Sequence, residues 1–184
     1  MSLQKSNENF DFYNELSNSY DALYKEEQYD KYRLVSDLFQ GNILDLGCGS
    51  GLLIQYLIEN KIKFKTYVGI DNSKKLIELA RRKLNQFDIN ENIKIKLIEH
   101  DVETFDYKLL LDEFQMNKFD LVVSFTAIHH FNTLDFLLKI PSKRFIISVL
   151  KKAKNHDMIE HFIEENFYIE KRISEYHDMI YILH

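Results

Sequence analysis

The chain has 184 residues, 45% apolar and 14% aromatic, which suffices for the core of one domain and excludes a disordered chain. The 24 Lys and Arg stand against 29 Asp and Glu, and the net charge of -5 argues against a broad nucleic-acid footprint, though not against a local basic patch. With Cys48 as its single cysteine the chain has no internal disulfide framework and no cysteine zinc cluster, and no apolar run approaches the roughly 20 residues that span a bilayer.

The opening MSLQKSNENFDF lacks the apolar centre and cleavage site of a signal peptide, so the expectation is a soluble protein of the cytoplasm. Helical spacing follows from Tyr13 to Phe39, with Leu16, Tyr20, Leu23 and Tyr24 on one side. NILDL reads as a buried strand, and GLLIQYLIEN as a helix that opens at a glycine loop. TYVGID is a second strand. SKKLIELARRKLNQF is an amphipathic helix, with Ser73 as its N-cap and Leu76, Ile77, Ala80 and Leu84 as its stripe. IKIKLIEHD alternates like a strand, and YKLLLDEFQM is helical. FDLVVSF is the fourth strand, LDFLLK a short helix stopped by Pro141, and RFIISVL the fifth strand. HDMIEHFIEENF is a helix, and YIEKRISEY with MIYIL closes the chain as a hairpin.

Strands alternating with helices predict an α/β fold, a doubly wound sheet built from parallel β-α-β units and covered on both faces. Such sheets bind ligands beyond the carboxyl ends of their strands, near the point where strand order reverses. The residues just past each strand are therefore the candidates. After the first strand come Gly47, Cys48, Gly49, Ser50 and Gly51, holding three of the five glycines of the chain. A loop of this kind lets backbone pass close to a ligand, and the helix behind it points free N–H groups the same way. Asp71 ends the second strand, 20 positions beyond Gly51, where a carboxylate can accept from a ribose diol. Asp101 follows the third strand, and SFTAIHHF, from Ser124 to Phe131, follows the fourth.

The glycines fit a nicotinamide-dinucleotide loop poorly, because the third glycine of G-x-G-x-x-G falls on Leu52. No lysine followed by Ser or Thr stands where a phosphate loop needs it. The stretch DLGCGSG, from Asp45 to Gly51, instead resembles the first motif of the class I S-adenosylmethionine-dependent methyltransferases. YVGIDNS, LIEHDVETF and FDLVVSFTAIHHF resemble the next three motifs, in the family's order, over Ile43 to Phe131. The resemblance implies a Rossmann-like, seven-stranded, mostly parallel sheet with an antiparallel last strand. It divides a single domain, 1–184, into a helical N-terminal cap at 1–40, a cofactor-binding half at 41–131 and a substrate-side half at 132–184.

The resemblance also implies the cofactor, S-adenosyl-L-methionine, left as S-adenosyl-L-homocysteine after transfer. Gly47, Cys48, Gly49 and Gly51 would pack on its methionine part, with Asp45 ordering the loop. Asp71 would take the ribose hydroxyls beside Asn72. Asp101 would stand near the adenine amino group, and the Val102 backbone near the ring. Ser124 and Tyr20 are further cofactor candidates, Tyr20 with Asp21 matching the YD segment of small-molecule family members. Cys48 has no assignable catalytic partner and reads as a small filler.

His129 and His130 fall on the acceptor side, either as a base for the acceptor's proton or as structural residues of the loop. No metal is expected, since His156 and His161 are five apart and do not share a helix face. Lys151–Lys154 reads either as a solvated run or as an attractor of an anionic acceptor, RNA included. The tyrosines Tyr13, Tyr20, Tyr24, Tyr29 and Tyr32 read either as packing or as part of a lid. The active-site loop lacks the [DNS]-P-P-[YF] signature of nucleobase amino methylation. A compact enzyme acting on oxygen or nitrogen of a small molecule fits best, by analogy of fold. An RNA or protein methyltransferase and a non-catalytic or NAD-dependent cofactor binder remain as alternatives.

Overall fold

The computed structural model describes residues 24–184. The expectations placed on Tyr13, Leu16, Tyr20, Asp21 and Leu23 lie outside the described residues. Helix α1 is described over residues 24–33 and runs into a 3-10 turn at Ser36–Leu38. Seven strands follow: β1 (Asn42–Leu46), β2 (Thr66–Asp71), β3 (Lys94–Glu99), β4 (Leu121–Phe125), β5 (Phe145–Leu150), β6 (Ile169–Ser174) and β7 (Asp178–Leu183). Between them lie α2 (Leu52–Glu59), α3 (Lys74–Leu84), α4 (Lys108–Glu113) and α5 (His156–Asn166).

All seven strands join one sheet in the order β3-β2-β1-β4-β5-β7-β6. The first five are parallel, and β7 runs antiparallel to both β5 and β6. The central strands are apolar on both faces because both faces are covered. On one face Ile43, Tyr67, Val123 and Ile146 meet Tyr29 and Tyr32 of α1, Leu53 and Leu57 of α2, and Ile77 of α3. Their sequence neighbours Leu44, Val68, Val122 and Ile147 point the other way, onto Leu110 of α4 and Ile159 and Ile163 of α5. The edge strand β3 is covered less, and its Lys94 and Lys96 alternate with apolar residues as the sequence reads.

Ser73 caps α3 through its hydroxyl, which accepts from the Leu76 amide at 3.4 Å, and Ile77 and Ala80 are the buried part of its stripe. The run LDFLLK forms a 3-10 turn, Asp135–Lys139, rather than an α-helix. Pro141 stands too close for a second turn, since it disfavours helical backbone at the residue before it. The chain leaves β1 to build β2 and β3 on one side, then returns to lay β4 against the other side of β1. Strand order reverses there, so the loops after β1 and β4 diverge and leave a crevice.

Candidate active site

A cleft of about 720 Å³ occupies that crevice, within the range of cavities that hold small ligands and cofactors. One wall is the loop after β1. Its Gly47 and Cys48 amides both donate to the Ile70 carbonyl at the end of β2, at 2.8 and 3.1 Å. Gly47 has φ of 75°, and a Cβ there would lie 2.5 Å from the Ala127 Cβ, so the loop after β4 packs against bare backbone. At Gly49 an added Cβ would meet nothing within 4 Å, because this part of the loop faces open cleft. The Gly49 amide donates to Asp71 Oδ2 at 2.9 Å, and the Ser73 amide donates to Oδ1 at 2.8 Å. Asp71 thus ties the glycine loop to the start of α3, and its lone pairs outnumber these two donors. Burial raises its carboxyl pKa above the usual value, opposed by the Ser73 and Gly49 amides.

Asp45 is buried under the loop and accepts from the Tyr67 hydroxyl across to β2. Burial pushes its carboxyl up to about 7; the Tyr67 hydrogen bond opposes this and the Asp71 charge adds to it. Cys48 is buried with its sulfur over Gly69, where a Cβ would come within 2.8 Å. Burial, with the Asp45 and Asp71 charges behind it, pushes the thiol well above its usual value. That suits the reading of a filler and opposes that of a thiolate nucleophile.

Past β3, Asp101 and Val102 line the same cleft, as does Asn72. Asp101 accepts from the Glu103 amide at 2.9 Å, and the Val102 carbonyl is taken by the Tyr107 hydroxyl at 2.6 Å. Ser124 does not reach the cleft surface. It is fully buried, and its hydroxyl donates to the Leu46 carbonyl at 3.0 Å, holding β4 to β1. A side chain that points into the sheet stack cannot also face a ligand beyond the strand ends.

The opposite wall follows β4. Thr126 has φ of 53°, a conformation that β-branched residues rarely adopt. His129 and His130 sit on the next turn, Ile128–His130, with ring centroids 4.1 Å apart, and both line the cleft. Burial lowers the His129 pKa from its ordinary 6.5; the neighbouring His130 lowers it further, Asp178 acts in the opposite sense, and Lys31 lowers it again. The ring is therefore neutral near pH 7 and able to accept a proton.

Helix α1 closes this side with Tyr24, Glu27, Gln28 and Tyr32. Tyr29 and Tyr32 also pack into an aromatic cluster with Tyr56, so packing explains them, while Tyr24 and Tyr32 reach the cleft. The basic run does not: at the end of β5 only Leu150 lines the cleft, and Lys151 is bonded to Ser174 Oγ at 2.9 Å and to the Glu175 carbonyl. Among the described residues no cluster of His, Cys, Asp and Glu is arranged to hold a metal ion, and no helix is long and apolar enough to cross a membrane.

Sequence reasoning missed Gln28, Thr126 and His177 on the cleft wall, and the pair behind it, Lys31 and Asp178, both fully buried and 2.8 Å apart. Charges at helical spacing signal a solvated face, so nothing local marks Lys31 as buried. The left-handed backbone of Thr126 has no sequence signal either.

Known proteins share stretches of this sequence and its fold. A family model described as "Methyltransferase domain" matches residues 43–140, just over half of the chain. The ubiquinone biosynthesis O-methyltransferase of Pelagibacter ubique is 35% identical over 123 residues, 62% of this chain and 44% of that protein. The chain thus spans less than half the length of this curated relative. Among solved structures, magnesium protoporphyrin IX methyltransferase of Synechocystis with bound SAM aligns with TM-score 0.62 and 18% identity, over 86% of this chain and 76% of that one. The 16S rRNA methylase ArmA aligns with TM-score 0.60 and 18% identity, over 89% and 83%. These structural likenesses establish the fold.

Proposed function

The chain belongs to the family of methyltransferase domains, and from that premise we propose that it moves a methyl group from S-adenosylmethionine to an oxygen or nitrogen of a small-molecule acceptor. The observation that carries this reading is the bond from the Gly49 amide to Asp71, which joins bare loop backbone and the carboxylate we assign to the ribose in one wall. The wall fits the cofactor: Gly49 bares its backbone to the cleft, and Asp71, Asn72 and Asp101 line it with polar groups. Gly47 and Gly49 would hold the methionine end, Asp71 the ribose and the Asp101–Val102 turn the base.

The cofactor supplies a methyl group already activated by a positive sulfur. What the protein must add is alignment of an acceptor with that methyl, and closure of the site to water. Helix α1 and the turn at His129 and His130 stand opposite the glycine loop and supply the acceptor wall. An acceptor that arrives protonated must lose its proton as the new bond forms, and the neutral His129 ring is the group we assign to take it. The O-methyltransferase relative supports an oxygen acceptor within this reading, and the compact cleft supports a small one.

The test is transfer of labelled methyl from S-adenosylmethionine into host extract, separated into small-molecule, RNA and protein fractions. Label is expected in the small-molecule fraction, and label confined to RNA or protein would overturn that choice of acceptor. Asp71→Ala is expected to weaken S-adenosylmethionine binding by more than about tenfold, above roughly 1.4 kcal/mol. Unchanged affinity in a titration would remove Asp71 from the site.

A further inference from the structure

Asp45 sits near the end of β1, only 4% exposed, and what surface it keeps lines the cleft. A carboxylate buried this deeply needs a cation or several donors to stay ionised. Asp45 has neither among the described residues. Its Oδ2 accepts from the Tyr67 hydroxyl, and its other oxygen accepts from no described residue. Asp71 brings a second carboxylate to the same loop, and the Cys48 thiol beside them stays protonated. On the other sides, Lys83 of α3 donates to Ser50 at 3.4 Å behind the loop, Tyr32 of α1 lines the cleft, and His129 and His130 line it from beyond β4. No Lys or Arg lines the cleft among the described residues. Burial, with the Asp71 charge added, therefore keeps the proton on Asp45 up to about pH 7.

A positive charge brought against this wall changes the balance. It favours the ionised form of a nearby acid and lowers its pKa. S-adenosylmethionine carries a sulfonium that S-adenosylhomocysteine lacks, while the two share the ammonium and carboxylate of the amino-acid end. Cofactor and product thus differ by one positive charge, at the end given above to Gly47 and Gly49. Asp45 lies directly under that loop, with a proton to lose and an oxygen free of other partners.

We propose that Asp45 tells cofactor from product: it gives up its proton to solvent when S-adenosylmethionine binds, and takes one back when transfer leaves a thioether in place of the sulfonium. The proposal rests on the methyltransferase reading and adds to it a residue that discriminates between the two ends of the reaction. In this step only the O–H bond of Asp45 breaks and re-forms, and water carries the proton away and returns it. Ionised Asp45 attracts the cationic cofactor. Protonated Asp45 offers that attraction no longer, so the product is held by the remaining contacts alone.

The experiment is calorimetric titration of the full chain with each ligand at about pH 6, in phosphate and in bis-tris, whose ionisation enthalpies differ. The dependence of the observed heat on the buffer counts the protons exchanged. We expect release of more than about half a proton per S-adenosylmethionine bound, and less than about a quarter per S-adenosylhomocysteine. Between about pH 5 and 7 the affinity ratio of cofactor to product should rise at least roughly fivefold. Asp45→Asn keeps an acceptor for Tyr67 but cannot ionise, so its ratio should stay within about twofold over that range and its two proton counts should agree. The variant retains His129 and His130, so a ratio that still rises in it would assign the proton to those rings and overturn the proposal. Equal proton counts for the two ligands in the wild type would overturn it as well, whether or not the variant folds. Failure of the folded wild type to bind either ligand would instead overturn the methyltransferase reading beneath it.

Discussion

At the scale of the residue, environment decides what each polar side chain can do. Asp71 and Asp45 are both carboxylates beside the same loop, yet Asp71 meets two amides and Asp45 meets one phenol. His129 shows the same principle in a base: burial holds its pKa below 6.5, so the neutral, accepting form prevails at neutral pH. If it takes the acceptor's proton, kcat/KM will fall on the acid side as pH drops through that lowered value. His129→Ala should then lose the acid limb, along with roughly 10²–10⁴-fold in rate. A limb that persists in the variant, in a pH-rate profile, would assign the base elsewhere.

At the scale of the element, α1 is fastened to the sheet by chemistry as well as by its tyrosines. Lys31 crosses to Asp178 at the start of β7, and both are completely buried. Removing one partner of such a pair strands the other, at about 3–5 kcal/mol. Lys31→Met alone should therefore be strongly destabilising in urea unfolding, because it leaves buried Asp178 without its cation, whereas Asp178→Asn leaves Lys31 paired with Glu27 at 2.7 Å. The double variant Lys31→Met with Asp178→Asn removes the stranded charge while leaving a polar partner for Ser148 and Thr126. It should cost less than the sum of its parts, and strict additivity in the double-mutant cycle would show that the two residues do not act as a pair. Both residues also bond the Thr126 hydroxyl, at 2.9 Å each, so the fastening of α1 reaches the wall of the cleft after β4.

At the scale of the whole molecule, the sheet gathers acids from several segments into one crevice, and stability must respond to pH. The folded state holds a proton on Asp45 up to about pH 7, whereas its ordinary value is 3.8. The folded state therefore binds more protons than the unfolded chain between those values. Stability from this group is complete below about pH 4 and is lost as pH rises through 7, by at most roughly 1.4 kcal/mol per unit. Asp45→Asn, which cannot ionise, should flatten that part of the curve and gain on the wild type above pH 7 in thermal unfolding. Equal pH dependence in both proteins would mean that Asp45 is ionised throughout.

What the sequence determined by itself is the scaffold and the wall of the cleft that carries the glycine loop. Alternating apolar runs and amphipathic stripes specify strands and helices locally, and the order β-α-β admits few topologies. The glycine loop, Asp71 and Asp101 were legible because each lies at the carboxyl end of its strand or just past it, so chain position and place in the fold coincide. The opposite wall was legible only at His129 and His130. Gln28 and Lys31 share α1, but Thr126 and Asp178 lie about a hundred or more positions further along, and none of the four carries a local pattern. Only the tertiary structure brings α1, the end of β4 and the start of β7 together. Ser124 marks the same boundary from the other side: it sits in the right motif, but the side-chain direction along β4 turns it into the sheet. Backbone order follows from periods that a sequence displays. Which polar groups end up buried together depends on packing between segments, and no single segment records it.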